Sequence, residues 1–267
     1  MITFPNCKIN LGLRIIRKRP DGYHDLETIF YPIQIKDALE ITSSEELSFH
    51  QSGIRFEGED NNICVQAYKL LKSEYSKIPP LSIHLLKCIP VGAGLGGGSS
   101  DAAYMLLMMN EKCSLGLSEN ELLNYATQLG SDCPFFILNK PCIGSGRGEQ
   151  LEAVEIDLSS YTIVIVNPGI HISTAEAFSK IKPSMPSVSL KEASILPIAE
   201  WKTNMVNDFE KSVFDLYPEI SKIKDRMYAH GAVYASMSGS GSTVYGVFEK
   251  QQPGPDWDKK YFVRIMK

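Results

Sequence analysis

The run Pro90-Val91-Gly92-Ala93-Gly94-Leu95-Gly96-Gly97-Gly98-Ser99-Ser100 places five glycines between positions 92 and 98 and two hydroxyls directly after them. Backbone without Cβ atoms can approach an anion closely with its N–H groups turned inward. The apolar stretch from Asp101 to Asn110 predicts a buried helix, whose unpaired N–H groups and positive dipole end would add to the attraction. Such a loop suits phosphate. A flexible turn would not need so many glycines between a strand and a buried helix. The run is not a Walker P-loop, because no G-K-S or G-K-T is present and the lysine that reaches the terminal phosphates is missing. G-x-G-x-x-G can be read within Gly92 to Gly97, but the chain ahead of it lacks the strand-helix-strand alternation of a dinucleotide fold. Charge compensation is therefore expected from Mg2+ and from side chains elsewhere, with Ser99 and Ser100 as candidates to hold the metal or a phosphate oxygen.

Other side chains could complete such chemistry. Lys8 and Asn10 alternate with Ile9, Leu11, Leu13 and Ile15 in the period of a half-buried strand, which sets the two polar groups on one face. Asp132 stands where Ser131-Asp132-Cys133-Pro134 opens a helix, since proline is tolerated in a first turn. A carboxylate there can cap the helix, or it can accept or orient a hydroxyl proton. Tyr23 offers a ring for stacking, and His24 can donate or accept hydrogen bonds.

The elements that must position these groups are legible in part. After the turn Pro20-Asp21-Gly22 a second extended segment, 23–35, returns against the first. Shorter strands are expected at 39–42, 47–50 and 54–57, a helix over Ile63, Ala67, Leu70 and Leu71 capped by Asn61 or Asn62, and a strand over 81–86 leading into the glycines. Ser118 and Glu121 form a capping-box signature, with Gly130 at the far end of that helix. Beyond about residue 155 the pattern restarts with a strand over 161–166 and a helix near Ser173-Thr174. The stretch from Lys182 to Pro197 reads as irregular. Helices over 206–216 and 218–230 precede strands over 233–237 and 243–248, joined by the tight loop Ser238 to Ser242.

Composition narrows the function classes. With 267 residues, 43% apolar content and a net charge of -4, a folded globular protein is expected and no electrostatic footprint for nucleic acid stands out. Arg17-Lys18-Arg19 reads as the solvated rim of the adjacent turn. The six cysteines show no C-x-x-C pair, so neither zinc nor a redox motif is suggested, and a reducing cytoplasm fits. No apolar run approaches membrane-spanning length.

The segment P-V-G-A-G-L-G-G-G-S-S-D-A-A resembles the second motif of the GHMP kinases, named for galacto-, homoserine, mevalonate and phosphomevalonate kinases. Lys8-Ile9-Asn10-Leu11, Asp21-Gly22-Tyr23-His24, Gly130-Ser131-Asp132, Gly146 to Glu149, Asn207 to Glu210 and Ser238 to Gly241 follow the order and spacing of one branch, so the resemblance covers nearly the whole chain. It implies an α+β, two-domain GHMP fold: an N-terminal α/β domain with the phosphate loop over 1–155 and a ferredoxin-like C-terminal domain over 156–267. It implies transfer of the ATP γ-phosphoryl group to the 2-hydroxyl of 4-diphosphocytidyl-2-C-methyl-D-erythritol, in the non-mevalonate isoprenoid pathway. Lys8 and Asp132 match the catalytic pair, and an ammonium near Asp132 would stabilise both its carboxylate and charge on the moving phosphoryl group. Asn10, Tyr23, His24, Thr174, Phe178 and Gly239 match the acceptor site, with Phe178 as a second stacking surface, while Asn62 and Lys87 match the adenine and ribose end of ATP. Two departures stand out: Pro5 lies one residue further from Lys8 than is usual, and Asp101 replaces a frequent asparagine, so it either helps the metal or points away from the phosphates. The partners implied are small molecules, ATP and a cytidine-diphosphate-linked polyol, bound by a cytoplasmic monomer or homodimer without nucleic acid or membrane. A GHMP kinase for another alcohol is the second reading, and a nucleotide-binding regulator without turnover the third. The rings at 23, 24 and 178 speak against the former, and retention of Lys8 and Asp132 against the latter.

Overall fold

The computed structural model describes residues 1–54, 62–250 and 256–267. Most of the expected strand 54–57, and Asn61, lie outside the described residues. The chain forms two compact units interleaved in sequence: Met1–Lys8, Pro32–Val91 and Gly96–Lys140 make the first, and Ile9–Tyr31, Gly92–Leu95 and Pro141–Lys267 the second.

In the first unit a four-stranded sheet runs in the order β1 (Ile2–Thr3), β4 (Ala38–Ser43), β6 (Leu81–Lys87), β5 (Ser48–Gly53). Strand β6 alternates with period two: Leu81, Ile83 and Leu85 are buried, His84 and Leu86 exposed, so the same phase turns Lys87 inward. Helices α1 (Ile63–Glu74), α2 (Gly97–Lys112), α3 (Glu119–Leu129) and α4 (Cys133–Leu138) belong to the same unit. Leu71, Met105, Leu106 and Leu122 from three of these helices join Leu39, Ile83 and Leu85 from the sheet in one core. Helix starts follow the sequence signals. The Cys64 N–H donates to Asn62 Oδ1 at 2.8 Å, and Ser118 and Glu121 close the expected capping box.

The chain crosses from one unit to the other within its two longest strands, β2 (Asn6–Lys18) and β3 (His24–Lys36), which form a sheet with β7 (Cys142–Ser145) and β8 (Gln150–Ala153) in the order β2-β3-β7-β8. Strand β2 is not half-buried as its alternation suggests. Every residue from Asn6 to Leu13 is buried, including Lys8 at 3% and Asn10 at 2% exposure. Polar side chains so placed must find partners inside the protein.

The second unit is built on an antiparallel sheet, β10 (Tyr234–Met237), β11 (Val244–Glu249), β9 (Tyr161–Asn167), β12 (Phe262–Met266), in register through pairs such as Gly246 with Val164 and Arg264 with Ile165. Its core takes Val164, Val166 and Val244 from the sheet and Phe209, Val213, Ile220, Ile223 and Met227 from α8 (Phe209–Leu216) and α9 (Pro218–Ala229). The short helices α5 (Thr174–Phe178), α6 (Leu190–Ser194) and α7 (Trp201–Asn204) complete it. Within the stretch read as irregular, α6 carries a full capping box from Ser189 and Glu192, a signal present in the sequence. Helix α8 starts three residues later than expected because 206–208 lie along β2: the Leu13 N–H donates to the Val206 carbonyl at 2.9 Å and the Asp208 N–H to the Leu13 carbonyl at 2.8 Å. Arg17 pairs with Asp25 and Arg19 with Asp21 and Asp25, so two of the three basic residues are ion-paired at the turn rim. Among the described residues no helix is long and apolar enough to cross a membrane.

Candidate active site

The glycine run makes its turns by alternation, with Gly92, Gly94 and Gly96 at φ +64°, +77° and +69°, a conformation that residues with side chains rarely adopt. Helix α2 then opens at Gly97, four residues earlier than expected. Gly96 holds its N-cap position and no side chain caps it, leaving first-turn N–H groups directed at the loop. An anion is the natural partner for that end. Behind it, the Ser100 hydroxyl is buried without a hydrogen-bond partner.

Lys8 and Asp132 meet in the first unit. Lys8 Nζ lies 3.3 Å from Asp132 Oδ2, with the lysine side chain 4% and the aspartate 31% exposed. Asp132 occupies the N-cap position of α4 but makes no capping hydrogen bond, so its carboxylate is directed to the lysine. Gly96 makes room for this pair. A Cβ there would stand 3.0 Å from Lys8 Cε and from Phe136 Cζ, so the lysine stem runs where only a glycine lets it pass. The neighbouring Cys133 thiol is buried, which pushes it up to about 12 and removes it as a nucleophile.

Lys87 occupies a different setting. It pairs with Asp37 and, at 2.7 Å, with Asp101 Oδ2, all three side chains being no more than 2% exposed. Asp37 Oδ1 also accepts the N–H groups of Cys88 at 2.6 Å and Ile89 at 2.8 Å, just ahead of Pro90. Burial opposes the charge on Lys87, but the carboxylates of Asp101 and Asp37 outweigh it and its pKa is raised. Burial pushes the Asp101 carboxyl up to about 7 against the pull of Lys87. Asp101 is thus buried with Oδ2 on Lys87, while its Oδ1 has no hydrogen-bond partner.

Residues 92–95 of the glycine run belong to the second unit, where Ser238 holds them. The Ser238 hydroxyl donates to the Gly94 carbonyl at 2.8 Å and accepts from the Asn10 N–H at 3.2 Å, and a Cβ on Gly94 would stand 2.0 Å from the Ser238 carbonyl oxygen. Asn10 Nδ2 donates to Thr28 Oγ1 at 2.8 Å. Gly239 takes φ +57°, and a Cβ on it would lie 3.3 Å from Gly94 Cα.

Of the ring residues, His24 and Phe178 are brought together, stacked with centroids 4.7 Å apart and planes 19° apart. Phe209 abuts Phe178 edge-on. Tyr23 is 55% exposed, and its face is covered by Arg147, whose guanidinium carbon is 4.4 Å from the ring centroid. Thr174 is exposed at the start of α5. Arg147 is a residue that sequence reasoning passed over, although it sits inside the quoted segment Gly146 to Glu149. A cavity of about 580 Å³ in the second unit, lined by Arg17, Asp25, Glu27, Gly146, Gln150 and Ser189 among others, contains none of the residues singled out for chemistry.

The GHMP kinases N terminal domain model matches residues 62–140, and the GHMP kinases C terminal model residues 189–256. The chain belongs to the GHMP kinase family. It is 53% identical to the 4-diphosphocytidyl-2-C-methyl-D-erythritol kinase of Parabacteroides distasonis, over 94% of this chain and 92% of that protein. It is 52% identical to the same-named kinase of Bacteroides thetaiotaomicron, over 98% of both chains. A solved 4-(cytidine 5'-diphospho)-2C-methyl-D-erythritol kinase matches with a TM-score of 0.80 at 30% identity, over 92% of this chain and 90% of that one. The homoserine kinase of Cytophaga hutchinsonii, at 13% identity, TM-score 0.69 and coverage of 98% and 94%, shares the fold. The expected two-domain α+β architecture of the GHMP kinases is therefore the architecture of this chain.

Proposed function

We propose that this GHMP kinase phosphorylates the 2-hydroxyl of 4-diphosphocytidyl-2-C-methyl-D-erythritol with ATP as donor, in isoprenoid precursor synthesis. The observation that carries the chemistry is the pairing of Lys8 with an Asp132 carboxylate that caps no helix. The choice of acceptor rests on relatives of that name at 53% and 52% identity over nearly the whole chain.

In this reading, Asp132 receives or orients the proton of the acceptor hydroxyl as its oxygen attacks the γ-phosphorus, and the bond to the β-phosphate oxygen breaks to release ADP. Lys8 stabilises Asp132 and the charge on the transferring group. No covalent phosphoenzyme is formed. The loop from Pro90 to Ser100 and the uncapped start of α2 hold the phosphates. Mg2+ would neutralise phosphate charge. The unpartnered Ser100 hydroxyl and the adjacent Ser99 fit as oxygen donors to it, while Asp101 gives Oδ2 to Lys87 and has Oδ1 without a partner. The resemblance assigns Asn62 and Lys87 to the adenine and ribose end; Asn62 also caps α1, and Lys87 is buried between Asp37 and Asp101. Tyr23, His24, Thr174 and Phe178, with Asn10 and Gly239, take the cytidine-bearing acceptor. The stacked His24 and Phe178 rings support this, because a small aliphatic alcohol gives no reason for them. Six free cysteines suit a reducing cytoplasm.

The test is ADP release from Mg-ATP across a panel of acceptors. Release only with the cytidine-diphosphate-linked methylerythritol is the expected result. Release with homoserine or mevalonate instead would overturn the acceptor.

A further inference from the structure

The segment Asn207-Asp208-Phe209-Glu210 stands in the family pattern, yet the function above gives it no task. Two of its side chains, Asn207 and Glu210, reach the Ser238 turn or the strand leading into it. The Asn207 amide, 3% exposed, donates from Nδ2 to the carbonyls of Met237 and Gly239, both at 2.8 Å, and so brackets Ser238 from its two neighbours. Its Oδ1 accepts the Phe209 N–H at 3.0 Å, which fixes the amide so that its donors point at the turn. Asp208 Oδ2 accepts the Ile15 N–H at 2.7 Å, and Glu210 Oε1 accepts the Met237 N–H at 2.8 Å. Phe209 enters the core of the second unit.

Ser238 is the residue that holds Gly94, through its hydroxyl and through a carbonyl that leaves no space for a Cβ. One more bond reinforces the contact, from the Thr243 N–H to the Ala93 carbonyl at 3.3 Å. A turn containing Gly239 and Gly241, at φ +57° and +92°, has little intrinsic preference for a single shape. Two amide donors set on successive odd carbonyls supply the missing constraint, and with them the position of Ser238.

We infer that Asn207 is a positioning residue for nucleotide binding, setting the phosphate loop at Gly94 through the Ser238 turn. This rests on the reading of residues 90–100 as the phosphate loop. An asparagine is required rather than an aspartate, because a carboxylate oxygen in the place of Nδ2 would face two carbonyl oxygens without a hydrogen to share.

The test measures affinity for a non-hydrolysable Mg-ATP analogue by titration calorimetry, with thermal melts alongside. Asn207→Ala and Asn207→Asp are expected to bind the analogue about tenfold or more weakly at a temperature where both are folded. Ser238→Ala should weaken binding in the same way, and combining it with Asn207→Ala should give less than the sum of the two effects. Tyr228→Phe is the control. Its hydroxyl donates to the Ala235 carbonyl at 3.1 Å in β10, away from the turn, so it should lower the melting temperature and leave affinity unchanged. Analogue affinity within twofold of wild type in the Asn207 variants would overturn the inference, whatever their stability. Should those variants not fold, unchanged affinity in Ser238→Ala would do so. A wild-type chain that binds the analogue but does not turn over the cytidine acceptor fails the proposed function and leaves this test in force. Wild type that binds no analogue overturns both.

Discussion

The glycine run is held in two chemically different ways. Its flanks, in the first unit, are tied by charge: Lys87 joins Asp101, the fifth residue of α2, to Asp37, which in turn accepts the N–H groups of Cys88 and Ile89 before the loop. Its middle, in the second unit, is tied by a neutral group, the Ser238 hydroxyl, on a turn whose flanking carbonyls accept from the Asn207 amide. The ionic device carries one cation for two carboxylates in a buried place, so it holds the flanks at a cost in desolvation and fails badly if the cation is lost. The neutral device carries no such cost, but it depends on geometry, since each donor has one carbonyl to reach. Charge fixes where the loop begins and ends, and hydrogen-bond geometry fixes its shape.

The sharpest way to break this contrast is Lys87→Met. Two buried carboxylates would be left without their cation, and a loss of about 3–5 kcal/mol in urea unfolding is expected. A loss close to that of an ordinary surface change would show that the cluster is not closed to water. Next comes Gly94→Ala, which must abandon φ +77° and move the Ser238 carbonyl out of the way. It should cost about 1–3 kcal/mol and weaken analogue binding, whereas Gly98→Ala, with no atom within 4 Å of the new methyl, should leave stability unharmed. Equal stability losses in the two would remove the steric argument. Smallest is Asp101→Asn. The amide oxygen can still accept from Lys87, Asp37 still balances its charge, and the lost charge is one that burial disfavours, so unfolding free energy should stay within about 1 kcal/mol of wild type. A loss approaching that of Lys87→Met would show that both carboxylates are indispensable.

The two devices differ as much in how readable they are. Asn207 and Ser238 both lie in segments recognisable from their order and spacing, and only their mutual contact needed a structure. Asp37 belongs to no motif and lies 50 residues from Lys87, so nothing local announces it. Lys87 itself could have been placed by continuing the phase of Leu81, Ile83 and Leu85, which puts a lysine on a buried face and demands a counter-charge. Alternation in β2 misled for a related reason: it sets Lys8 and Asn10 on one face but is silent about whether that face meets water or protein. Strands β7 and β8, of four residues each, are too short for periodicity to show. The pairing of Lys8 with Asp132 came from the resemblance. Local sequence left Asp132 equally suited to capping α4, and the absent capping bond is what separates the two roles.

The most direct test of the Lys8 and Asp132 chemistry is turnover by Asp132→Asn. ADP release with Mg-ATP and the cytidine-diphosphate-linked methylerythritol should fall by a factor of about a hundred or more, while affinity for the ATP analogue stays at the wild-type value. Near-normal turnover in that variant would contradict the role assigned to the carboxylate.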